Sequence, residues 1–156
     1  MTYTEYRKQE QATADSLPIF FAFSNEQLAD ALKQRGFDSI EEGAKHIYRF
    51  GSTGGFYLKK DADVIRAWVK RENKLPDLMK NEKFAIEAFV YEMCNHEYAI
   101  NYYQGDYDVC SCFCKCEWDD DKTWKDYLRE GGYDDTVLGY FKKALAKYGK
   151  KSANWY

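Results

Sequence analysis

The sequence predicts an α+β domain with a mainly antiparallel sheet of about five strands, built from two hairpins plus one N-terminal strand and packed with about five helices. Three observations carry that expectation. Two β-prone runs each fold back at a turn-forming cluster, "GSTGG" in one and "QGD" in the other. The helical stretches do not alternate regularly with single strands, as a parallel sheet would require. The 156 residues are 45% hydrophobic and 31% charged with two prolines, a composition that suits one folded domain with its own core. Residues 1–156 are therefore read as a single α+β domain with a polar N-terminal helix and a basic C-terminal tail.

"TYTEYRKQEQATADS" holds good helix formers with little apolar face, so it predicts a thinly packed helix that stops before Pro18. "PIFFAF" reads as a strand buried on both faces. In "SNEQLADALKQRG", Ser24 and Gln27 form a capping box, Leu28, Ala29 and Leu32 face the core, and Gly36 closes the helix. "HIYRFGSTGGFYLKK" predicts a hairpin, with His46 at the start of its first strand. Asp61 caps "ADVIRAWVKREN", where Val64, Ile65 and Trp68 recur at helical spacing. The strongest helical pattern is "NEKFAIEAFVYEMCNHE", with Phe84, Ile86, Phe89, Val90 and Met93 as its apolar stripe. "YAINYYQGDYDVCSCFCKC" predicts the second hairpin, turning at Gln104, Gly105 and Asp106. Helices from about Lys122 to Glu130 and from about Asp134 to Tyr148 follow, stopped by Gly131–Gly132 and Gly149.

Four cysteines, Cys110, Cys112, Cys114 and Cys116, occupy every second position. On a strand they share one face at about 6.5–7 Å spacing, whereas tetrahedral zinc gathers its sulfurs within about 4 Å. Buried thiols lining a strand are the expected reading, with no metal assigned. The alternative is a zinc site in which Cys94 and His96, at the end of the long helix, approach Cys110 and Cys112. Glu92 and His96 stand four apart on that helix, a spacing that suits a metal or a proton-transfer pair, although capping of the helix end by Asn95 and His96 is the plainer role. "GSTGG" lacks the Lys-Ser/Thr of a phosphate-binding loop and leads into a strand, so it reads as a hairpin turn. No nucleophile elbow, metalloprotease pair or kinase-like set occurs, and no catalytic residue is assigned.

Fourteen Tyr, ten Phe and four Trp make up 18% of the chain, more rings than so small a domain buries, so some should stand on a recognition surface. The net charge of −3 argues against general attraction to nucleic acid or membrane. No apolar stretch is long enough to span a bilayer or to serve as a secretory leader, which points to the cytoplasm.

"FFAFSNEQLADAL", "IYRFGSTGGFYLKKDA" and "YEMCNHEY" together make the chain resemble a family of small, functionally uncharacterised proteins encoded by bacteriophages and mobile elements of Firmicutes-type bacteria. The likeness covers roughly the first two-thirds of the chain. It marks Phe20, Phe21, Phe23, Asn25, Glu26, Gln27, Gly54, Asn95, His96, Glu97 and Tyr98 without giving them a role, and it implies a bacterial host's cytoplasm. Joined to the aromatic excess, it leads to an accessory protein that binds a macromolecular partner without catalysis, in one form an inhibitor of a host defence system. The expected contact residues are Tyr107, Trp118, Asp119, Asp120, Asp121 and Trp124, with a protein as the partner. A zinc-binding module or metal-dependent enzyme is the alternative. A nucleic-acid-binding regulator acting through the C-terminal lysines and Trp155 is the third.

Overall fold

A computed structural model of the chain describes residues 1–152, with side chains to residue 149. Helix α1 (Tyr3–Asp15) is followed by a short strand β1 (Phe20–Phe21), helices α2 (Asn25–Gln34) and α3 (Ile40–Gly43), and the hairpin β2 (Ile47–Phe50) and β3 (Gly55–Leu58). Then come α4 (Ala62–Val69), α5 (Leu75–Leu78), α6 (Glu82–Asn95), α7 (Gly105–Cys110), α8 (Trp124–Glu130) and α9 (Asp135–Ser152). The class is α+β, and the chain divides into two compact units, residues 10–72 and residues 1–9 with 73–156.

The 10–72 unit holds the sheet, antiparallel throughout in the order β1-β3-β2. Phe20 pairs with Phe56, and Tyr48 pairs with Tyr57. Its hairpin forms as the sequence predicts, because Gly51 and Gly54 adopt left-handed φ values of 56° and 78°. The Thr53 hydroxyl stitches that turn by donating to the Phe50 carbonyl. Ser24 caps α2 through the Gln27 amide, while the Gln27 side chain accepts from Phe23 N–H rather than completing a box with Ser24. The "PIFFAF" strand shrinks to two residues. Phe20 is buried under the Arg35 guanidinium, but Phe21 and Phe23 stand 57% and 75% exposed, so the run is not buried on both faces. Asp61 makes no capping bond; a 3-10 turn over Lys59–Asp61 leads into α4. Val64 is exposed and only Ile65 of the expected trio is fully buried. His46 ends a 3-10 turn and stacks on Phe37, 4.9 Å between ring centres.

The other unit is helical and contains most of the core. Phe89, at the middle of α6, packs edge-on against both Phe113 and Phe141 at 4.9 and 4.8 Å. Trp124 stacks on Phe141 at 4.4 Å. Full burial of each such ring contributes about 1.5–3 kcal/mol. Tyr3 of α1 enters the same cluster, so the start of the N-terminal helix is anchored rather than thinly packed.

The second hairpin does not form, and the sheet has three strands rather than about five among the described residues. Tyr98–Gln104 is a run of turns, α7 follows, and residues 111–123 are irregular. Alternation of cysteines is a two-residue period, yet the side chains that are buried here are Val109, Cys110 and Phe113, a helical spacing. The thiols confirm it locally: Cys112 donates to the Asp108 carbonyl and Cys114 to the Cys110 carbonyl, each four residues back. α9 also runs past Gly149, which does not stop it.

Candidate functional site

The C-terminal end of α6 is built by the four residues Asn95–His96–Glu97–Tyr98. Tyr98 N–H donates to the Met93 carbonyl and Glu97 N–H to the Cys94 carbonyl, a Schellman cap. Such a cap needs a left-handed residue, and here it is Glu97, at φ 50°. This reversal turns Tyr98 so that its hydroxyl donates to Asp106 on α7. A Cβ on Gly105 would lie 3.2 Å from the Tyr98 ring, so α7 starts close against it.

One turn back, Glu92 is 2% exposed and is the buried charged residue of the described core. A buried carboxylate needs hydrogen-bonding partners, and two of this one's come from a distant part of the chain. Its Oε1 accepts from the Tyr3 hydroxyl at 2.7 Å and from Arg7 at 2.6 Å. Its Oε2 accepts from the Asn95 amide at 3.2 Å and faces His96 Nε2 at 3.5 Å. The same nitrogen lies 3.4 Å from Cys112 Sγ. Glu92, His96 and Cys112 therefore present one ligand atom each within 4.8 Å of one another. Burial, then the neighbouring Glu92 charge, pushes the Cys112 thiol up to about 12. Burial and the bond to Glu92 likewise raise the Tyr3 hydroxyl.

Of the expected zinc ligands, His96 and Cys112 come together, joined by Glu92. Cys94 and Cys110 are not in this group; the Cys110 thiol is fully buried and points at the Trp124 carbonyl. Glu92 and His96 were legible as a four-residue pair, whereas Tyr3 and Arg7 carry no sequence signal, since 89 and 85 residues separate them from Glu92.

A second cluster gathers the rings and acids. Tyr102 and Tyr103 are 86% and 90% exposed, and Ile100 beside them is 53% exposed. They border a groove of about 290 Å³ lined also by Tyr98, Tyr107, Asp120 and Lys122. Among the expected contact residues, Trp118 is 46% exposed and Asp119, Asp120 and Asp121 are exposed. Tyr107 is half-buried against Tyr127. Trp124 is half-buried on Phe141, with its backbone N–H held by Asp106, and is a packing residue. Tyr102 and Tyr103 are the surface residues that sequence reasoning passed over, because an expected strand hid them. Trp155 lies outside the described residues, as do the side chains of Lys150 and Lys151.

The marked residues of the 10–72 unit also meet. Phe21 and Phe23 stack at 6.5 Å, Asn25 and Glu26 are exposed on the first turn of α2, and a Cβ on Gly54 would fall 2.4 Å from the Phe23 ring.

A family model described as a family of unknown function (DUF7659) matches residues 2–116. The chain belongs to this family. No curated protein and no solved structure matches it. The matched stretch of this DUF7659 member contains Tyr3, Arg7, Glu92, His96 and Cys112, and also Tyr102 and Tyr103; Trp118 and Asp119–Asp121 lie beyond it. Among the described residues, no helix is long and apolar enough to cross a membrane.

Proposed function

We propose that this protein acts without catalysis, by binding a partner protein that presents a basic segment to the tyrosine and aspartate face between Tyr98 and Tyr127. The observation that carries the reading is the near-complete exposure of Tyr102 and Tyr103 beside a groove that also contains Asp120. Tyrosine rings add large contact area at low entropic cost and dominate binding hot spots. Exposed Asp119, Asp120 and Asp121 add negative charge at the rim, which favours a Lys- or Arg-rich contact and speeds encounter. The finer reading is an accessory protein of a bacteriophage or mobile element that works in the bacterial cytoplasm by inhibiting a host defence system. The resemblance of the FFAF-NEQ and NHEY blocks supports it.

The test is capture from bacterial lysate with tagged protein, with and without nuclease. The wild type should retain a nuclease-resistant protein that elutes as salt is raised. A Tyr102→Ser/Tyr103→Ser double variant and an Asp119→Lys/Asp120→Lys/Asp121→Lys triple variant should each lose it. Retention of every partner by both variants would refute the face. Capture abolished by nuclease would move the function to nucleic acid and the lysines of α9, of which Lys142 and Lys147 are exposed.

A further inference from the structure

We infer that Glu92, His96 and Cys112 form a binding site for a zinc-like divalent transition metal, three protein ligands with a fourth position left for an exchangeable one. The reading stands on distances. Zinc bound tetrahedrally at about 2.0 Å to nitrogen and oxygen and about 2.3 Å to sulfur sets its ligand atoms about 3.3–3.6 Å apart. His96 Nε2 lies 3.5 Å from Glu92 Oε2 and 3.4 Å from Cys112 Sγ, so both measured edges match that polyhedron.

The surroundings fit as well. Tyr3 and Arg7 both address Oε1 and leave Oε2 to the ion, which is how outer partners orient a ligating carboxylate. The Asn95 amide takes one lone pair of Oε2 and leaves the other. His96 is 32% exposed while Glu92 is 2% exposed, so an ion can reach the histidine from solvent and end on a buried acid. The mixed nitrogen, oxygen and sulfur set suits zinc or cobalt and disfavours calcium and magnesium, which take oxygen. Binding replaces the Cys112 S–H bond with a metal–sulfur bond, and the thiol proton leaves to solvent.

The whole chain, kept reduced and freed of metal, should be titrated with Co²⁺ and then with Zn²⁺. One equivalent of Co²⁺ should give a sulfur-to-cobalt charge-transfer band and tetrahedral visible bands, which Zn²⁺ then bleaches. Cys112→Ser should abolish the charge-transfer band, and His96→Gln should weaken binding by at least about tenfold. Tyr3→Phe, which keeps the ring in the core, should weaken it by about 10–100-fold. Cys114→Ser/Cys116→Ser should bind like the wild type. Absence of the band at an excess of Co²⁺, or its survival in Cys112→Ser, overturns the site. Should Cys112→Ser fail to fold by circular dichroism, His96→Gln at the helix end decides in its place: wild-type affinity there overturns the site.

Discussion

Three helices of this chain end in the same hydrogen-bond pattern but not in the same residue. In the 10–72 unit, α2 closes with Phe37 N–H on the Leu32 carbonyl and Gly36 at φ 92°. In the helical unit, α8 closes with Tyr133 N–H on the Leu128 carbonyl and Gly132 at φ 84°, whereas α6 puts Glu97 in that position. The contrast extends to the two units. The bonds that shape residues 10–72 are mostly local, such as Gln27 to Phe23 and Thr53 to Phe50. Around α6 they are remote: Tyr3 and Arg7 donate to Glu92, and the Ala99 N–H donates to the Tyr148 hydroxyl. Local geometry can be specified by one good turn residue. Remote geometry needs a shared core, and a residue poorly suited to its backbone can be held there by its neighbours.

The largest expected effect tests that difference in cores. Phe89→Ala removes the ring that Phe113 and Phe141 both touch, and should cost about 3–5 kcal/mol. The buried apolar side chains of residues 10–72 are Phe20, Ala22, Leu32, Ala62 and Ile65, so Leu32→Ala there should cost nearer 2 kcal/mol. Urea denaturation of both variants reads the comparison, and an equal cost would break it. Alkaline pH should come next. All five cysteines lie between Cys94 and Cys116; burial raises the thiols of Cys110, Cys112 and Cys114, the latter two to about 12. The unfolded thiols lose protons near pH 8.5–9 while the folded ones keep them, so the folded state binds more protons there. Stability is complete below that pH and falls as pH rises toward 12. A urea midpoint that does not decline between pH 8 and pH 10.5 would contradict the buried placement of these thiols.

What was legible in the sequence follows the same division. Gly36, the GSTGG turn and the Gly131–Gly132 stop are local signals that the structure uses as expected, and Ser24 caps α2 although Gln27 does not complete the expected box. The α6 stripe was legible because its period is strong, with Phe84, Phe89, Val90 and Met93 all buried. Cys110–Cys116 misled because period two was the only visible pattern, while the packing of Val109, Cys110 and Phe113 against α6 and its neighbours decided the outcome. Two of the three residues of the candidate metal site, Glu92 and His96, were visible as a helical pair. Its third ligand arrives from a segment expected to be a strand, and its supporting Tyr3 and Arg7 arrive from the far end of the chain.

A smaller effect sharpens the contrast on the side of residues 10–72. Gly54 combines φ 78° with a Cβ position 2.4 Å from the Phe23 ring. That ring is 75% exposed and can swing away, so Gly54→Ala should retain mainly the dihedral penalty, about 1–2 kcal/mol. Gly51→Ala meets no atom within 4 Å and isolates the same penalty without the ring. A Gly54→Ala cost far above that of Gly51→Ala would show that Phe23 is fixed in place, and that the exposed Phe21–Phe23 stack is a rigid surface.

The smallest effect bears on the three caps directly. Glu97 occupies a left-handed position that costs a non-glycine residue about 1–2 kcal/mol, and replacing it with glycine adds back about 0.5–1 kcal/mol of chain entropy. Glu97→Gly should therefore stabilise the chain by about 0.5–1 kcal/mol, read as a small rise in urea midpoint at pH 7. Glu97→Ala separates side chain from backbone: it removes the exposed carboxylate but keeps the left-handed backbone, so it should leave stability nearly unchanged. The reciprocal change, Gly36→Glu at φ 92°, should cost at least as much as Glu97→Gly gains. If glycine and alanine at position 97 prove equally stable, the α6 cap carries no strain. If glycine stabilises as expected, α6 ends in a glutamate at a cost in stability, directly beside His96.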